Sequence, residues 1–126
     1  MSLATYSSSR RLLVNNTDVT DLVSTSNIKL GFSREPDSFP CITITQIGGD
    51  TFGYLGKDQR RENRIIQVDI YNRNSLLDLN VISDKVEIAL MSGSAFRKIG
   101  DIDIYEDGLD AYRKTQTWSF WDMIND

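Results

Sequence analysis

The 126-residue sequence predicts an α+β fold: a two-layer sandwich in which two helices pack on one face of a mainly antiparallel four-stranded sheet, in the order α-β-β-α-β-β. Three observations carry this. Several segments alternate apolar and polar residues at period two, the pattern of strands with one buried face. One long segment, Leu76 to Met91, repeats its apolar residues at helical spacing. The dipeptide Asp107-Gly108 sits between the last two strand patterns, where a hairpin turn requires residues that tolerate positive φ. With 40% hydrophobic residues the chain supports one domain over residues 1–126, of radius of gyration roughly 14 Å.

The elements follow in order. Leu3 to Val14 reads as a helix with an imperfect stripe of Leu3, Tyr6, Leu13 and Val14. Asn15-Asn16-Thr17 breaks it, and Thr17 or Asp18 is placed to cap a short second turn carrying Val19, Leu22 and Val23. Ser24 to Pro40 is rich in turn-forming residues, with a brief extended piece around Ile28 to Phe32, and reads as a surface connection. In Cys41 to Ile47, Ile42 and Ile44 oppose Thr43 and Thr45. In Arg64 to Tyr71, Ile66, Val68 and Ile70 oppose Gln67 and Asp69. A one-residue slip would put branched aliphatics in water, so the register is well specified. The helix follows, with Leu79, Ile82, Val86 and Ala89 or Leu90 on one side and Asp84, Lys85 and Glu87 on the other. Ser75 with Asp78 resembles a capping box, and Ser92-Gly93 ends the run. Lys98 to Tyr105 is read as a strand with Ile102 and Ile104 inward and Asp101 and Asp103 outward. Tyr112 to Trp121 has Tyr112, Trp118 and Phe120 inward and Arg113, Thr115, Thr117 and Ser119 outward.

Composition narrows the chemistry. Fourteen basic against 18 acidic residues give a formal charge of −4, which is no signature of specific nucleic-acid binding. There is no His, so Ser-His-Asp and Cys-His machinery cannot be built within the chain. The single Cys41 allows no intrachain disulfide and no CxxC knuckle; beside Ile42, it reads as a buried structural thiol. No apolar run is long enough for a membrane span or a signal-peptide core, so a soluble protein of a cytoplasm-like compartment is expected.

Three constellations remain. The acidic group Asp101, Asp103, Glu106, Asp107 and Asp110 suggests a divalent metal site, yet calcium-loop spacing fails because Glu106 stands where the turn glycine belongs; a solvated acidic hairpin is the plainer reading. Lys57, Arg60, Arg61 and Arg64 form a basic cluster after Gly48-Gly49-Asp50 and Gly53, either a solubilising loop or a hairpin arm that touches an acidic partner or a neighbouring subunit. Trp118 and Trp121 lie on opposite faces of the last strand, which leaves Trp121 either to pack a terminus or to anchor an interface. The outer face is polar but poor in catalytic groups. No enzyme, cofactor or metal is expected.

The segment Phe39-Pro40-Cys41-Ile42-Thr43-Ile44 followed by Gly48-Gly49 resembles the proline-led first main strand of the tail terminator proteins of long-tailed bacteriophages, the tail-completion or minor tail protein U-like family. Ile66-Gln67-Val68-Asp69-Ile70-Tyr71-Asn72-Arg73, leading into the helix from Leu76 to Leu90, is similar to that family's strand-into-helix segment. Leu12-Leu13-Val14 with Val19-Thr20-Asp21-Leu22-Val23, and Tyr112-Arg113 with Trp118-Ser119-Phe120-Trp121, resemble its N-terminal helix and turn and its terminal strand. The resemblance spans nearly the whole chain in order, through patterns more than invariant signatures. It implies a structural protein of a phage or prophage virion tail, assembled in the bacterial cytoplasm as a hexameric ring. Such a ring caps the tail tube, ends its polymerisation and forms the surface that joins the head. Its partners would be copies of itself, the tail tube protein and a head-completion or connector protein. The resemblance does not match Ser24 to Glu35 or Lys57 to Arg64 residue by residue and carries no role to them; the basic cluster and the outer face themselves place the expected subunit or tube contacts at Lys57, Arg60, Arg61, Arg64, Thr115, Thr117 and Trp121. Two rivals stand beside it: another neck or connector protein, and a metal-dependent nuclease using Asp101, Asp103 and Asp69.

Overall fold

A computed structural model describes residues 3–31, 38–56, 59–93 and 96–125, with side chains described over 8–31, 38–48, 63–93 and 96–120. The fold is α+β. Helix α1 (Leu3–Val14) and the single turn α2 (Thr17–Thr20) lead through a 3-10 turn to strand β1 (Ile28–Leu30). Strands β2 (Cys41–Gly56) and β3 (Gln59–Asn72), helix α3 (Leu76–Met91) and strands β4 (Phe96–Glu106) and β5 (Ala111–Asn125) follow.

The sheet has five strands in the order β1-β2-β3-β5-β4, against the four expected. The addition is β1, which the sequence showed only as a brief extended piece. Three residues long, it lies parallel to β2 with Ile28 opposite Ile42. Side chains hold it there. Arg10 on α1 donates from Nε to the Ile28 carbonyl at 3.0 Å, and Asn27 donates from Nδ2 to the Pro40 carbonyl at 3.2 Å. Gly31, just after β1, has φ 78°, a backbone conformation in which a Cβ would be strained. The other neighbours are antiparallel.

One face of this sheet is covered by helices. Ile42, Ile44, Ile66, Val68, Ile70 and Trp118 are fully buried beneath Leu79, Val86, Ala89 and Leu90 of α3 and Leu13 of α1. Helix α3 forms at the predicted limits. Ser75 takes an extended conformation and its Oγ accepts from the Asp78 N–H at 3.0 Å, satisfying a donor that the helix leaves open. For α2 the cap is Asn16, whose side chain accepts from Val19, in place of Thr17 or Asp18; Asn16 has the extended backbone that an N-cap needs. Val19 and Val23 are buried while Leu22 stays exposed, and Leu3 and Tyr6 lie outside the described side chains.

The strand β4 corrects the sequence reading. Its register against β5 shifts between Lys98 and Gly100, an irregularity that carries one extra residue, Ile99. Beyond it every side chain lies on the face opposite to simple alternation. Asp101 pairs with Gln116 and Asp103 with Lys114, on the helix side; Ile102 pairs with Thr115 and Ile104 with Arg113, on the outer side. The β4–β5 connection differs too. Glu106 pairs with Ala111 across a four-residue loop, and the positive φ falls on Asp110, at 50°, rather than on the expected Asp107-Gly108 pair. Leu109 and Asp110 donate back to the Glu106 and Asp107 carbonyls, closing overlapping turns that a two-residue loop would not contain.

Candidate functional site

On the face away from the helices, β2, β3, β5 and β4 present Thr43, Asp69, Thr115 and Ile102 side by side, because antiparallel partners share a face. The centre is Asp69, 3% exposed. Its Oδ1 accepts from Thr115 Oγ1 at 2.6 Å and from Arg113 Nε at 3.1 Å, and its Oδ2 accepts from Gln67 Nε2 at 2.9 Å. Arg113 also places Nη2 3.0 Å from Asp69 and donates from Nη1 to Glu106 Oε1 at 2.6 Å. Its guanidinium carbon lies 5.6 Å from the centre of the Tyr71 ring. Burial works to lower the Arg113 pKa, but the hydrogen bonds to Glu106 and Asp69 outweigh it and raise the pKa above the ordinary value. Burial raises the Tyr71 phenol, with Arg113 opposing. This is a closed network in which cation and carboxylates satisfy one another, and it fixes a polar surface without leaving a free nucleophile or base.

The predicted contact residues fall in different places. Thr115 is buried, its hydroxyl already given to Asp69; Thr117, two positions on, is half-buried at the same face. Arg64 is half-buried opposite Gly49 and Phe120. Arg60 and Arg61 lie on β3 opposite Tyr54 and Phe52 of β2, and Trp121 lies on β5 opposite Asn63; their side chains are outside the described set, as is Lys57 entirely. The glycine-flanked basic stretch is therefore carried by strands. Beyond Gly48 the β2–β3 ladder continues to the Gly56–Gln59 pair with two register shifts, and β5 accompanies β3 to the Gln59–Asn125 pair. The 14-residue β3 is spanned by two neighbours over about 45 Å.

The acidic hairpin is largely paired. Asp101 bonds Lys98, which also lies 3.4 Å from Glu87 of α3; Asp103 lies 3.3 Å from Lys114; Asp110 accepts from the Tyr105 hydroxyl. The hydrogen bond from Lys98 lowers the Asp101 pKa below its ordinary value. Asp101 and Asp103 lie on the helix-side face and Asp69 on the other, so the three carboxylates of the nuclease reading do not converge. Among the described residues no three His, Cys, Asp or Glu side chains are grouped to hold a metal ion, and no helix is long and apolar enough to cross a membrane. A groove of about 270 Å³ lies beside the start of α3, lined by Leu22, Pro40, Asn72, Val81 and Ile82, none of them a predicted contact.

Sequence reading missed two features. Asp69 gave no signal of its role, since its partners Arg113 and Thr115 are more than 40 residues away. The exposed isoleucines of β4 did leave one, because Gly100 inside a strand pattern marks a bulge.

No family model matches the chain, and no curated protein matches it. Its fold is similar to that of a chain in a solved structure described as the virion of a native gene transfer agent particle, with a TM-score of 0.62, 11% identity, and coverage of 94% of this chain and 92% of that one. At this identity the likeness shows the fold, over nearly the full length of both chains.

Proposed function

We propose that the protein is a structural component of a phage-like virion, forming a ring that caps the tail tube, ends its growth and presents the surface to which the head is joined. The observation that carries this reading is the near full-length likeness in fold to a chain of a gene transfer agent virion. The order of segments that resemble those of tail terminators, from Phe39-Pro40-Cys41 to Trp118-Ser119-Phe120-Trp121, supports the same reading and its finer assignment to the tail end. The chemistry of the outer face agrees with it. Asp69, Arg113 and Glu106 are locked together, which suits a surface of fixed shape used for contact and not for turnover. In this reading the protein acts without catalysis or cofactor, and its work is done by contacts with its own copies, with the tube protein and with a head-completion protein.

The test is tube growth. Tail tube protein polymerised with the purified protein should stop at short lengths, with a ring visible at one tube end by electron microscopy. Unaltered tube lengths and bare ends would contradict the proposal, and a ring that binds head connectors but not tubes would assign it to the neck.

A further inference from the structure

Among the described residues the sheet ends in two open edges. On one side β4, 11 residues long, pairs with β5 and, among the described residues, with no other strand. On the other side the three residues of β1 cover Ile42 to Ile44 of the 16-residue β2, and from Thr45 to Gly56 no described strand covers that edge. Open edges present unpaired N–H and C=O groups and recruit further strands unless they are short, kinked or charged. The β4 edge has weak protection of this kind. Its bulge lies near the start, so the ladder from Gly100 to Glu106 is regular, and Asp101 and Asp103 are neutralised by Lys98 and Lys114. Ile99 and Ile102 are 59% and 58% exposed, with Ile104 and Tyr105 also exposed beside them. On the β2 edge Ile47 is 48% exposed.

We propose that the β4 edge of one copy pairs with the β2 edge beyond Thr45 of the next, so that the sheets of adjacent subunits join into one. This rests on the ring reading above and names its interface. The occupant is a second copy because one chain carries both halves of the contact. Strand direction alternates from β2 through β3 and β5 to β4. Copies in one orientation, offset along the strands so that β4 meets β2 beyond the stretch covered by β1, therefore continue the antiparallel pattern across the junction. A contact between two different edges is heterologous, and it closes into a ring when its rotation divides a full turn. Pairing β4 with β4 about a two-fold axis would leave both β2 edges open and stop at a dimer.

Cysteine cross-linking tests this in a Cys41→Ala background. Ile47→Cys and Ile102→Cys are placed in one chain and separately, with Gly48→Cys and Ile104→Cys as alternative registers. Within a copy the two edges are three strand spacings apart, about 14 Å, beyond the reach of a disulfide. Under mild oxidation the double variant should give a ladder of covalent oligomers extending past the dimer, while each single variant stays uncross-linked and all keep the parent melting temperature. Dimers from Ile102→Cys alone would overturn the proposal in favour of β4–β4 pairing. Rings by light scattering with no ladder in any register would overturn it and leave the ring reading standing. Monomers at every concentration, with or without tubes, would overturn both.

Discussion

Asp69 and Gln116 show how single polar residues set the two faces of the sheet. Gln116 is buried on the helix side, donating from Nε2 to the Ser83 carbonyl of α3 at 3.1 Å and accepting from Trp118 Nε1 at 3.0 Å. It links the largest core side chain to the helix above it. Gln116→Leu leaves the indole N–H unpaired in the core and is expected to cost about 1–3 kcal/mol, read from the urea midpoint; an unchanged midpoint would contradict the link. On the outer face, Asp69→Ala removes the acceptor shared by Arg113, Thr115 and Gln67 and should also cost about 1–3 kcal/mol, with Arg113 still held by Glu106. A cost near zero in chemical denaturation would show that the network is dispensable. At the edge, the bond from Lys98 lowers the Asp101 pKa below its ordinary value of 3.8. A depressed carboxylate contributes stability above that value, and the contribution is lost as pH falls through the folded pKa. In Lys98→Ala the Asp101 carboxyl should titrate at higher pH by NMR; an unmoved titration would place the cause elsewhere.

Among the elements, helix α3 was fully legible, because a cap, a stripe and a Ser-Gly stop agreed over Leu76–Met91. Ser75→Ala removes the side-chain acceptor at its start and should destabilise by about 1 kcal/mol, lowering the melting temperature by roughly 3–5 °C; no change would mean that the cap is redundant. The inward faces of β2, β3 and β5 were legible for the same reason of consistent period. Strand β4 was not, since one extra residue at Ile99 inverts the alternation after it, and only Gly100 hinted at the break. Strand β1 was too short to carry a period and is held by Arg10 and Asn27, contacts that need the folded chain. For the glycine-rich stretch past Gly48 the sequence leaves a solubilising loop and a hairpin arm open, because glycines interrupt its pattern; β2 and β3 pair antiparallel through it with register shifts. Of the candidate site, the polar residue types of the outer face were legible and their partners were not, because partners on a sheet come from distant strands.

For the whole molecule, one helix-covered face, one locked polar face and two sheet edges left open among the described residues are the features from which assembly has to be built. The isoleucines of β4, together with Leu77, Ile88 and Met91 of α3, are exposed apolar surface that a neighbour would cover. A subunit that pairs through both edges gains hydrogen bonds and apolar burial that a lone copy lacks, and the gain is largest when a ring closes and leaves no edge behind. The proposed capping function therefore depends on self-association into a closed ring. Light scattering across a concentration series, with and without tail tubes, measures it most directly. A capping ring requires a species of six times the 14.3 kDa chain mass, free or on tube ends; a 14.3 kDa monomer that persists at every concentration and ignores tubes would contradict it.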